Sequence, residues 1–502
     1  MATFSRVINK IDDRINPIVV KEIRQYLNGR SIVPLVILTL LLELGAMLVF
    51  MMSQVNSVQG RGLEFFTTVM TLLALACIVG VAFPAAGRIS QERKIDALDL
   101  VYTTVLSPYR IVSGKLFSGM AMVSLLISLC LPFMCVSYYL RGIDLPTILT
   151  STYLLLLLML PLIQGMVLFG VLCSSIVYRI ILMIIGANLF FSLIGGAGSL
   201  FRMGVPRWSG GPDTGWALLV LTLMSLLVTT GFYVLSVAMI SHATANRATP
   251  IRIYLAATWL AIMLILLMVQ FCRNQKIELN EWAVAMMLLF GASALFSIGE
   301  REDQSRRVLR QVPHGFLRRV VYFLFSSGFA NGLLFSLLFL LLTLLLYRSA
   351  PGSSSLQFFD NPPPAVVCTG IAMYMVAYAA LSMCAKQLLQ RFIPRINMIV
   401  IIIGLVSCVL FIPMIICAMI YKERCVENDL SAPFMILTPA IFGYNEYRGT
   451  GVIISFVLAA VCLLLALPIL WAQVKAHFPP EPGSEPVAAP HLEEEDSKHA
   501  DA

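Results

Sequence analysis

The chain has 502 residues, of which 59% are hydrophobic and 12% charged, with a formal net charge of +8 and a mean hydropathy of +0.87. Soluble domains carry about twice that share of charge, so the composition excludes an ordinary soluble core and points to a polytopic membrane protein. In that setting the surplus of Lys and Arg is an orientation signal, and nucleic acid is not an expected partner.

Residues 1–32 interleave Arg6, Lys10, Arg14, Lys21, Arg24 and Arg30 with Ile8, Ile11, Ile15, Ile18, Val19 and Ile23. They lack the short apolar core and cleavage site of a leader. The mixture fits one or two helices lying in the membrane interface, with a cytosolic tail as the plainer alternative. Twelve apolar runs follow, each long enough at about twenty residues to cross a bilayer. They lie near 33–53, 65–86, 116–139, 147–176, 180–200, 215–240, 253–271, 281–299, 320–347, 364–385, 396–421 and 449–472. The run 147–176 is expected to tilt or to bend at Pro161. With the N-terminus inside, the inner segments hold 25 of the 35 Lys and Arg, so both termini are expected in the cytosol.

Gly87 to Phe117 is a polar island between two of these runs, carrying Arg88, Glu92, Arg93, Lys94, Asp96, Asp99, Arg110 and Lys115. At helical period Ile95, Leu98, Tyr102 and Val105 share one face, and Glu92, Asp96, Asp99 and Thr103 share the other. Ser90 is suited to start a short amphipathic helix, with Glu92 near its positive end. Ser107 is suited to cap a second helical piece that begins at Pro108 and returns into the membrane. One face of the amphipathic helix would meet the bundle or the lipid surface, the other a cytosolic partner.

The island recurs. At a gap-free offset of 208, Glu92 matches Glu300, Arg93 matches Arg301, Arg110 matches Arg318 and Val112 matches Val320. Leu116-Phe117-Ser118 likewise matches Leu324-Phe325-Ser326. Both stretches follow the second span of a six-span set, so the chain reads as two parallel six-helix repeats. The second copy has drifted: Leu98, Asp99 and Tyr102 correspond to Arg306, Arg307 and Arg310. A basic surface against anionic headgroups is one explanation, and an altered or absent partner contact is another. The expected division is an interfacial segment 1–32, a six-span domain 33–240, a diverged six-span domain 241–472 and a Pro-rich, acidic, disordered tail 473–502.

Two stretches carry a family resemblance. Glu92-Arg93, Asp99-Leu100, Leu106-Ser107-Pro108, Ile111-Val112 and Gly114-Lys115 resemble the first intracellular loop of ABC-2-type ABC transporter permeases. Asn16-Pro17-Ile18-Val19-Val20-Lys21-Glu22-Ile23-Arg24-Gln25 resembles the interfacial elbow before that family's first span. The resemblance implies an exporter membrane subunit whose loop 87–117 holds a coupling helix docked on a separate cytosolic ATPase. ATP and magnesium would bind that partner. Glu92, Arg93, Asp96, Asp99, Ser107, Pro108 and Arg110 are the implied coupling residues, with a mechanical role and no catalytic one. It also implies a multi-pass protein of the cell membrane, that of a bacterial inner membrane. The family's usual permease has six spans and pairs with a second copy; twelve spans would let one chain serve alone, and pairing stays open.

The sequence holds no P-loop, since Gly114-Lys115 is followed by Leu116 and position 109 is Tyr. His242, His314, His477, His491 and His499 show no metal-ligand spacing, and the eleven cysteines show none either. Neither a catalytic nor a metal site is expected. Glu43 is the one acidic residue at the middle of a span and must face the bundle interior, protonated or paired. Gln164, Asn188, Thr229 and Asn331 are the candidate partners. It reads as a polar clamp between helices ahead of a translocation-path residue. Gly195-Gly196-Ala197-Gly198 fits either a broken helix at the outer gate or close helix contact. Two rival functions remain: a secondary transporter of the major facilitator type, also six plus six spans, and a membrane scaffold in an ABC-like assembly.

Overall fold

The computed structural model describes residues 16–28, 32–52, 61–94, 107–140, 143–172, 212–241, 246–273, 279–300, 315–349, 363–390 and 448–477. Its regular elements are helical, and among the described residues ten helices are long and apolar enough to cross a membrane. Each coincides with one of the twelve expected spans; the other two, 180–200 and 396–421, lie outside the described residues. So do the Gly195–Gly198 stretch and the tail beyond His477.

The chain divides into two units, 1–277 and 278–502. In the first, α1 (Pro17–Leu27) precedes α2 (Ile32–Met52). The second span begins as α3 (Arg61–Cys77), widens to a π-turn over Ile78–Ala82 and continues as α4 (Phe83–Lys94). Pro84 sits just past the π-turn, where its missing N–H and bulky ring disrupt ordinary helical bonding. Then come α5 (Pro108–Tyr139), α6 (Leu145–Leu172), α7 (Pro212–Ile240) and α8 (Ala248–Arg273). Helix α6 runs unbroken through Pro161.

Helix α2 is apolar on every side, as a lipid-facing helix should be, and its buried residues are Thr39 and Glu43, one turn apart. Its Leu38, Leu41, Leu42, Leu48 and Val49 are exposed. The core of the unit lies where α1, α3, α5 and α6 meet, around Tyr26, Phe65, Phe66, Met70, Val123 and Met159. A second apolar cluster joins Ala85, Ile89, Val112, Val167, Val171 and Val237 at the ends of α4, α5, α6 and α7.

The second unit comprises α9 (Leu279–Phe296), α10 (Phe316–Phe325), α11 (Phe329–Ser349), α12 (Pro364–Gln390) and α13 (Arg448–His477). The expected span 320–347 is in fact two elements. A break at Ser326–Gly328 separates the short α10 from the membrane-length α11, and Gly328 takes φ +144°, where a side chain would be strained. The corresponding residues 118–120 of the first unit sit inside the unbroken α5.

One further expectation is corrected. Ser90 does not start a helix: the second span continues through it to Lys94, because Ala85 and Ile89 find apolar partners that hold the helix in register. Ser107 does stand at the N-cap of α5 with Pro108 at its first position, but its hydroxyl makes no capping bond. The cap is made by its backbone carbonyl, which accepts from Arg110 N at 2.9 Å.

Candidate functional site

The expected coupling loop is described at both ends. Residues 95–106, including Asp96 and Asp99, lie outside the described residues, as does the side chain of Arg93. What the structure supplies is the ground on which that loop stands: the end of α4, the start of α5 and the whole of α1.

Helix α1 is set across α5 by Asn16. Its Oδ1 accepts from Ile18 N at 3.2 Å, capping the helix, while its Nδ2 donates to the Arg110 carbonyl at 2.5 Å. Pro17 follows at the first helical position, where no N–H is required. The helices touch at Gly114. A Cβ there would lie 2.7 Å from Ile18 Cγ2 and 2.9 Å from Ile18 Cβ, so this crossing demands glycine.

Ile18, Glu22 and Tyr26 recur every four residues and form the inner face of α1. Glu22 is the hub. Lys115 Nζ lies 2.6 Å from Glu22 Oε1 and 3.0 Å from Glu92 Oε2. Arg88 Nη1 lies 3.6 Å from Glu22 Oε2, and Lys21 Nζ lies 3.6 Å from Glu92 Oε1. The side chains of Lys115 and Glu22 are 4% and 3% exposed, that of Glu92 27%. Arg88 also stacks over the Tyr26 ring, 3.4 Å from guanidinium carbon to ring centre. The Tyr26 hydroxyl reaches the Val81 carbonyl of the π-turn at 3.5 Å. Burial raises the Tyr26 phenol above its ordinary pKa, with Arg88 opposing and Glu22 adding to the rise.

Among the described residues the result is a network of three cations and two carboxylates shared by α1, α4 and α5. Buried pairs of this kind gain little net stability, because desolvation offsets attraction, but they penalise any other register. Glu92 and Lys115 also stand on either side of residues 95–106. Their ion pair joins the described ends of the expected coupling loop.

Of the expected coupling residues, Glu92 is turned inward, onto Lys115 and Lys21. Arg110 contributes its carbonyl to Asn16, and the Tyr109 carbonyl accepts from the Tyr233 hydroxyl at 3.1 Å. Ser107 and Pro108 mark the turn into α5. Sequence reasoning missed Glu22, Tyr26, Arg88 and Lys115 as a group. Two signals stood in plain view: a lysine at the start of an apolar span, and Arg88 and Glu92 one helical turn apart.

Glu43 is fully buried, and among the described residues neither Gln164 nor Thr229 is bonded to its carboxyl. The Cys130 thiol lies next to its carboxyl, and among the described residues no N–H or O–H group donates to either oxygen. Gln164 donates to Ser236 at 3.4 Å and Thr229 to the Ser225 carbonyl at 2.7 Å. Asn331 belongs to the second unit, bonded to Ser326, and Asn188 lies outside the described residues. Among the described residues no group of His, Cys, Asp or Glu is arranged to hold a metal ion.

No family model, curated protein or solved structure matches the chain.

Proposed function

We propose that the chain is the permease subunit of an ATP-driven transporter of the ABC-2 type, an exporter in a bacterial inner membrane. A separate cytosolic ATPase binds ATP and magnesium and supplies the force. The supporting observation is that the two stretches carrying the family resemblance, 16–25 and 87–117, meet in the folded chain through Asn16, Glu22, Glu92 and Lys115.

The mechanism follows from that junction. The partner pushes on the loop that bears Arg93, Asp96 and Asp99. A loop with free ends would absorb the push by splaying. Here Glu92 and Lys115 clamp its base, while Asn16 and Glu22 bind the same base to α1. The push therefore moves α1, α4 and α5 together, as a rigid body. Ser107, Pro108 and Arg110 form the corner that transmits it into α5. No side chain in the cluster does covalent chemistry.

Purification of the tagged full chain from its native membrane tests the proposal. A soluble P-loop ATPase should accompany it, and transport into vesicles should need ATP. Transport by the chain alone under an ion gradient would overturn the proposal in favour of a secondary transporter.

A further inference from the structure

Helix α10 presents a face that is exposed among the described residues of its unit. Phe316, Leu317 and Val321 are 76%, 77% and 51% exposed, while Phe323 on the other side is 6% exposed. Leu317 and Val321 are one turn apart and share a side, and the exposed Arg318 borders them. Ten residues are too few to cross a bilayer. Yet the helix ends only three residues before the membrane-length α11.

Its position is fixed by the break that follows it. Gly328 N donates to Glu300 Oε2 at 2.8 Å, and Asn331 Nδ2 donates to Ser326 Oγ at 2.5 Å. Ala330 N donates to Gln473 Oε1 at 2.9 Å. These bonds hold the mouth of α11 and, with it, the end of α10. A short helix anchored at the mouth of a span, apolar on its open side and basic at the rim of that side, has the chemistry of the headgroup layer. The sequence just before it adds Arg301, Arg306, Arg307 and Arg310 against Glu302 and Asp303, so its balance is positive. Positive charge at a membrane surface selects anionic lipid.

We propose that α10 lies in the headgroup layer and binds anionic phospholipid, with Arg318 on the lipid phosphate and Leu317 and Val321 among the acyl chains below it. This surface belongs to the second unit, and the proposal does not depend on the ATPase reading.

Fluorescence quenching by brominated lipids tests it on the full chain reconstituted in phosphatidylcholine vesicles. Leu317→Trp is compared with the unsubstituted chain, using brominated phosphatidylglycerol or brominated phosphatidylcholine at equal mole fraction. The added tryptophan should be quenched by both lipids, several-fold more by the anionic one. Raised salt and Arg318→Gln should each shrink that excess, and Arg318→Lys should largely keep it. Equal quenching by the two lipids would overturn the anionic preference. No quenching beyond the unsubstituted chain would mean that protein, not lipid, covers this face. An excess that survives Arg318→Gln would remove Arg318 from the site.

Discussion

Lys115 Nζ meets Glu22 Oε1 at 2.6 Å across 93 residues of sequence, with both side chains almost wholly out of solvent. This contact makes one body of the helix before the first span and the helix that opens the third. Glu92, 3.0 Å from the same ammonium, adds the end of the second span. The geometry turns two separate sequence stretches into a single mechanical part.

Removing Lys115 should be costly. Lys115→Met leaves Glu22 buried with Arg88, at 3.6 Å, as its remaining cation among the described residues, and should destabilise by about 3–5 kcal/mol, read as a lowered Tm in detergent. Glu22→Gln combined with Lys115→Met should sit closer to the unsubstituted chain, because the orphaned charge is gone. The charge swap Glu22→Lys with Lys115→Glu should not rescue. It would set the new ammonium on α1 against Arg88 and the new carboxylate on α5 against Glu92. A swap that restored Tm would show the pair to be isolated from its neighbours.

The crossing at Gly114 predicts a steric effect with a specific remedy. Gly114→Val should force α1 off α5 and cost about 1–3 kcal/mol. Ile18→Ala should recover part of that loss, since Ile18 supplies the clashing atoms. Proteolysis near α1 would report the displacement. Equal loss with and without Ile18→Ala would place the strain elsewhere.

Much of the membrane architecture was legible because hydropathy acts over twenty residues at a time, and each described span fell where an apolar run predicted one. The junction was legible in parts. Ser107-Pro108 announced a helix start, and the elbow resemblance marked the stretch that forms α1. What the sequence hid was pairing across distance. Glu22 read as one more charge on an interfacial helix, and Lys115 as a topogenic residue, since nothing local says that they meet. The Ser90 start failed because a serine permits a helix to begin without requiring it. The second half misled differently: ten residues of α10 and the apolar α11 run together in hydropathy, and a glycine with positive φ leaves no hydropathic trace.

In the second unit, Glu300 and Gly328 predict a local weakness. Gly328→Ala must adopt an unfavourable φ and should cost on the order of 1–3 kcal/mol. Glu300→Ala removes the acceptor of Gly328 N and should cost about 1–3 kcal/mol. The two should be less than additive, because both loosen one turn. Full additivity in Tm would show that Glu300 acts elsewhere.

Reversing Glu92 would confound two effects, since its carboxylate also holds Lys115. Asp96 and Asp99 are the acidic residues that the resemblance places on the coupling loop itself, beyond the end of α4. The most direct measurement is therefore ATP hydrolysis by the copurified complex in vesicles, for the unsubstituted chain and for Asp96→Arg with Asp99→Arg. The account predicts loss of transport-coupled ATPase activity with unchanged Tm and membrane insertion. Unchanged coupled activity in that variant would contradict the claim that force enters through this loop.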